Sequence, residues 1–246
     1  MIDIIRSEWT KIRSVRSTVW TLVVTAVLLL GLSALISAST RNTAGGPIPG
    51  EQAIGLSLSG IMLASLSMAA LGVLVISSEY RTGAIRTSLM AVPRRISLLT
   101  GKITTFAAIS LVVCTVASAG AIGVGLAICR PPSIEMGEVA RAALGSGLYL
   151  TACGLFGLGL GTLIRHTPGA IVSAIALIMV LPTLATQLPG GWGRTVAEYF
   201  TTNAGLLVVS GKGTGSLSAW SGFAVYLGWI GVTLTVAAVL MHRRDA

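Results

Sequence analysis

Six long apolar stretches alternate with short polar ones along the chain, at about 18–38, 53–76, 103–128, 143–164, 169–188 and 219–241. Each is roughly 20 residues or longer, enough for a helix to cross about 30 Å of hydrocarbon. A segment in lipid must satisfy its own backbone hydrogen bonds, so runs this long and continuous are read as helices rather than barrel strands. Within these limits none of the six holds Asp, Glu, Lys, Arg or His. The expected fold class is an all-α integral membrane protein: one transmembrane domain over 1–246 with six transmembrane helices.

The segments between the runs add three smaller elements. In "MIDIIRSEWTKIRSVRS", Ile2, Ile5, Trp9 and Ile12 recur on one helical face. That pattern predicts an N-terminal interfacial helix, with Trp9 at headgroup level and Lys11, Arg13 and Arg16 at the membrane surface. "GGPIPG" after the first run is turn-forming. Between 190 and 218, "GRTVAEYFTTNAGLLVVSG" is apolar but too short to span, so it predicts an outer re-entrant or interfacial hairpin. Pro182, inside the fifth run, lacks an N–H and is expected to kink it; Pro189 is expected to end it.

Composition supports the membrane class. Of 246 residues 53% are hydrophobic and only 10% charged, with mean hydropathy +0.86; soluble domains carry about 25% charged residues. The net charge of +9 reads as basic loops at an anionic leaflet rather than as a nucleic-acid surface. Most of the 17 basic residues fall on one side if the N-terminus is cytoplasmic: Arg6, Lys11, Arg13, Arg16, Arg81, Arg86, Arg94, Arg95, Lys102, Arg165, Arg243 and Arg244. Arg41, Arg130, Arg141, Arg194 and Lys212 fall on the other. Both termini are therefore expected inside. The first run is expected to be retained as a span, because it exceeds a signal-peptide core and Asp3 and Glu8 precede it.

Candidate chemistry within the membrane is sparse. Cys114, Cys129 and Cys153 form neither a CxxC pair nor an even set, which points to buried packing residues. No metal site and no catalytic residue is expected: His166 lies at a membrane edge and His242 in the tail. Without an intramembrane acid or base, a proton relay is disfavoured. "GKGTGS" at 211–216 lacks phosphate-loop spacing and reads as a turn. In the fourth run Gly157 and Gly161, four residues apart in a row with Cys153, suit a close helix–helix contact.

Charge is instead concentrated at "SSEYRTGAIRTSLMAVPRRISLLTGK", residues 77–102. Glu79 and Arg81 end the second run, Gly83 permits a sharp entry, and Ile85, Leu89 and Val92 form an apolar edge. Pro93 ends that short helix, and Arg94 and Arg95 follow at the membrane surface. A half-apolar helix outside the membrane can dock into a groove on another protein. Topology alone would account for the charges but not for the glycine, the apolar edge and the proline.

This stretch resembles the first cytoplasmic loop of ABC-2 type transporter permeases through Glu79, Gly83, Leu89, Pro93, Arg95 and Lys102. "SEWTKIRSVRSTVW" is similar to the opening of bacterial, especially actinobacterial, members. Ala84 departs from the family, where many members have Thr. The resemblance implies a coupling helix seated in a separate ABC ATPase subunit, which would bind ATP and Mg while this chain holds no cofactor and is no enzyme. It also implies a homodimer or a pairing with a second permease, in the bacterial plasma membrane, with export as the common direction. Substrate class does not follow from the resemblance; the uncharged spans, rich in Ser, Thr and small residues, admit a lipophilic or amphipathic substrate. Two other readings stay open: a non-transporting membrane anchor, and a sodium-coupled carrier, which would require a pair of broken spans. A membrane enzyme ranks last.

Overall fold

The computed structural model describes Ser7, Trp9, Thr10 and residues 16–44, 46–82 and 95–243. Its elements are α1 (Arg16–Thr43), α2 (Gly50–Ser57), α3 (Ile61–Thr82), α4 (Arg95–Cys129), α5 (Met136–Ile164) and α6 (Thr167–Ile175). A π-helical turn (Ala176–Val180) leads into α7 (Leu181–Ala185), followed by α8 (Gly190–Tyr199), α9 (Thr201–Gly205), α10 (Leu207–Ser210) and α11 (Ala219–Arg243). Among the described residues no strand forms, and six helical stretches are long and apolar enough to cross a membrane. The fold is that of an all-α multi-pass membrane protein.

The polar and apolar faces are arranged as a bilayer requires. On α1 the buried stripe is Thr18, Thr25, Leu29, Ser33 and Ser37. Val19, Trp20, Val23, Val24, Val27 and Leu35 of the same helix are exposed. In water this would be inside out. In lipid there is no hydrophobic drive between helices, so small hydroxyl residues meet neighbouring helices and the large apolar ones meet acyl chains. Ser33 Oγ donates to Ala121 O of α4 at 2.7 Å, and Thr25 Oγ1 and Ser67 Oγ of α3 lie 2.8 Å apart.

Helix α5 is the centre of the bundle. It packs on α3, α4 and α11, and most of its length is buried. Gly157 and Gly161 lie on its contact with α3. A Cβ at Gly157 would collide with Ala69 O, and one at Gly161 would come within 2.7 Å of Ile76 Cγ2. The reciprocal position on α3 is Gly72, where a Cβ would run into Gly154 O. Glycines on both sides thus set the spacing of α3 and α5. Cys153 is fully buried nearby and accepts from Tyr226 Oη of α11 at 3.3 Å; Cys114 and Cys129 are buried free thiols.

Four sequence expectations change. The second run is not one helix: it begins at Gly50 and breaks at Leu58–Gly60, where α1 crosses so closely that a Cβ at Gly60 would lie 2.9 Å from Leu28 O. The third helix starts well before 103. At 35 residues α4 is about 50 Å long at 1.5 Å per residue, more than the hydrocarbon core. Arg95 and Lys102 therefore belong to the third helix rather than to a loop. With the longer helices the spans are not charge-free, because Glu79 and Lys102 lie within them. The N-terminal interfacial helix lies outside the described residues except for Ser7, Trp9 and Thr10, which are helical and exposed.

The fifth span departs from an α-helix in a way its neighbours repair. Pro182 has no N–H, so the carbonyls four and five residues back, Ile178 and Leu177, lose a donor. Thr202 Oγ1 donates to Ile178 O at 2.7 Å and Thr201 Oγ1 to Leu177 O at 2.8 Å. Asn203 Nδ2 donates to Pro182 O at 3.2 Å. The segment 190–218 forms three short helices, with Thr201, Thr202, Ala204, Gly205, Val208 and Val209 buried. "GKGTGS" is a turn, with positive φ at Gly211 and Gly215.

Gly157→Ala is expected to destabilise the purified protein by about 1–3 kcal/mol, the usual cost of overpacking. Gly123→Ala, which meets nothing within 4 Å, is the control. Thermal unfolding in detergent measures both, and equal melting temperatures would contradict the close contact.

Candidate functional site

The charged stretch singled out in the sequence opens from the ends of α3 and α4, and these ends are joined. Lys102 Nζ donates to Glu79 Oε1 at 2.9 Å. The side chains are 2% and 11% exposed, respectively. Glu79 sits in the last turn of α3, where the helix dipole disfavours a carboxylate. Lys102 lies two turns into α4, among Leu98, Leu99, Thr105 and Phe106, all buried. A lone charge in such a place is costly, about 2.5–3.5 kcal/mol at a membrane helix centre. The ammonium of Lys102 is accordingly placed against the Glu79 carboxylate.

The pair closes the base of the loop. It links residues 23 apart, so the last turn of α3 is tied to α4 two turns after its start. Breaking one half of a buried pair strands the other charge, whereas replacing both by apolar groups is often tolerated. Such a contact fixes the register of two helices more than it adds stability.

The other sequence-selected residues fall as follows. Arg81 is in the last turn of α3 and Arg95 opens α4. Gly83, Ile85, Leu89, Pro93 and Arg94 lie outside the described residues, as do Lys11 and Arg13. Arg16 opens α1 and is exposed, and Trp9 is about half exposed. Gly157 and Gly161 lie at the α3–α5 contact, away from the loop base. Among the described residues no three His, Cys, Asp or Glu gather as metal ligands would.

Beside the pair lies a feature that sequence reading missed. Arg165 ends α5 in the left-handed conformation, φ 55°, and its guanidinium sits 5.1 Å from the centre of the Tyr80 ring. His166 then caps α6, its Nδ1 accepting from Gly169 N at 3.3 Å. The sequence signal was present: Arg-His-Thr-Pro is a helix stop followed at once by a helix start.

A long-helix bundle with an ion pair between two spans and helix interfaces built on glycine and hydroxyl residues defines a polytopic membrane protein. The family profile described as "ABC-2 family transporter protein" matches residues 4–186, about three quarters of the sequence. The chain belongs to the ABC-2 family of transporter proteins. It is a membrane permease component, and members of this family work with an ABC ATPase. A comparison with curated proteins finds no match.

Lys102→Met alone is expected to lower stability by about 3–5 kcal/mol, because the buried Glu79 carboxylate loses the ammonium it pairs with. Glu79→Leu together with Lys102→Met is expected to recover most of that loss. Unfolding midpoints of the single and double variants give the coupling directly; additive losses would contradict a paired site.

Proposed function

We propose that this chain is the permease subunit of an ATP-driven exporter and takes up motion from a separate ATPase through residues 79–102. The observation that carries the reading is the Glu79–Lys102 pair. It makes the two helices that flank the loop one mechanical unit, so a push on the loop moves α3 and α4 together. The apolar edge Ile85, Leu89 and Val92 supplies the grip on the partner, and Gly83 and Pro93 delimit it. Arg81, Arg94 and Arg95 hold the loop at an anionic cytoplasmic surface.

On this reading both termini are cytoplasmic, the membrane is the bacterial plasma membrane, and ATP and Mg are bound by the partner. One six-span chain forms half of a translocation path, so it pairs with a second copy or a second permease. The substrate is lipophilic or amphipathic: outside the loop base the bundle interior offers small residues and hydroxyls such as Ser33, Ser118 and Thr151. The short helices α8–α10 form the outer hairpin, pinned to the fifth span by Thr201 and Thr202.

One observation favours a second reading. The second and fifth spans are both interrupted, at Leu58–Gly60 and Ala176–Val180, and interrupted spans serve sodium-coupled carriers as ion sites. A carrier would work without any ATPase.

The deciding experiment tags the C-terminus, extracts native membranes gently and identifies the co-purifying proteins. A stoichiometric ATPase is expected. Leu89→Asp is expected to reduce its recovery about tenfold or more, since a buried unpaired carboxylate costs more than the ~1.4 kcal/mol that this represents. Membrane insertion stays intact. Recovery of the chain alone under crosslinking, with sodium-dependent transport in vesicles, would replace the ATP-driven reading with the carrier.

A further inference from the structure

We infer that the cleft between the end of α3 and the α5–α6 turn binds a phosphate-bearing anion, and that its source is the headgroup of an anionic lipid. The cleft measures about 770 Å³ and is lined by Ser77, Tyr80, Arg165, His166, Ile171 and Val172, with Thr167 and Pro168 at the α6 start.

Its polar end is built for negative charge. Arg165 is half-buried and stacked on Tyr80, which holds its guanidinium in place. Among the described residues no carboxylate lies within ion-pair reach of it, and none lines the cleft. The first turn of α6 points its positive dipole end here, which favours an anion. Independently of that helix end, Ser77 lines the cleft with only 2% of its surface exposed, and its hydroxyl meets no hydrogen-bond partner among the described residues. A buried hydroxyl donor and a guanidinium that meet no acceptor among the described residues suit an anionic oxygen in the cleft they line.

The rest of the cleft selects the lipid over a soluble phosphate. Below the polar end the wall is the Tyr80 ring with Ile171 and Val172, and Val172 is 65% exposed. That wall runs along a spanning helix, so a headgroup held by Arg165 would lay its acyl chains against it. The cleft at the opposite end of the bundle differs. It measures about 380 Å³, and its bases Arg141 and Lys212 share the rim with Glu51 and Glu138, with Lys212 paired to Glu51. Among the described residues charge is balanced there and uncompensated here. The site is read by lipid retention and not by ATPase recovery, so it stands or falls apart from the ATPase reading.

The test is lipid retention by the purified full chain, read by native mass spectrometry after exchange into phosphatidylglycerol or phosphatidylcholine. Phosphatidylglycerol is expected to be retained about tenfold better, as a charge-assisted contact worth ~1.4 kcal/mol would give. Arg165→Asn, which tolerates the left-handed backbone, is expected to bring retention down to the phosphatidylcholine level. Ser77→Ala is expected to lower it with the melting temperature unchanged. Displacement of the lipid by millimolar inorganic phosphate would support the anion site and reassign its source to a soluble phosphate. Equal retention of the two lipids, or phosphatidylglycerol retention unchanged in folded Arg165→Asn or Ser77→Ala, would overturn the site.

Discussion

Lys102 and Glu79 meet at 2.9 Å inside a bundle held, among the described residues, mostly by van der Waals packing and hydroxyl hydrogen bonds. In hydrocarbon such contacts are weakly directional, and helices can slide past each other at small cost. An ion pair resists sliding, because moving either charge away from its partner gives up their mutual compensation. The pair therefore fixes the mutual register of α3 and α4 where the loop leaves them. Through the glycine-lined α3–α5 contact the same register reaches the central helix.

That contact also shows how the bundle stays tight without a hydrophobic drive. Gly72, Gly157 and Gly161 bring backbone against backbone, and the polar stripe of α1 adds hydrogen bonds to α3 and α4. The fifth span differs in kind. Pro182 removes a donor, a π turn follows from the lost hydrogen bonds, and hydroxyls from α9 take over the freed carbonyls. Its integrity rests on side chains of another element. Such a span can be coupled to α8–α10 as a pair, whereas α5 is buried along most of its length.

The sequence made the six spans legible because about 20 apolar residues in a row have one stable form in lipid. Gly157 and Gly161 were legible as packing residues for the same kind of reason: only small side chains admit close backbones. The helix ends were not legible. Hydropathy stops at the first charge, but a helix continues through charges that find partners, so Glu79 and Lys102 were read as flanks when they are buried. Their pairing spans 23 residues, beyond any local periodicity. The break at Leu58–Gly60 escaped notice because its cause is the nearby backbone of α1, a tertiary contact. The cleft at Arg165 depends on Tyr80 from a distant helix, and no short motif encodes that meeting.

The central claim is that α3 and α4, clamped at the loop base, move as one body when the ATPase acts. Distances between spin labels test it most directly. Labels at Ser78 on α3, Thr104 on α4 and Val239 on α11 can be attached through introduced cysteines, since Cys114, Cys129 and Cys153 are buried. Measured in the assembled complex, nucleotide-free and trapped with ATP, the Ser78–Thr104 separation is predicted to stay constant while Ser78–Val239 shifts. A changed Ser78–Thr104 distance, or no shift in either pair, would contradict the account.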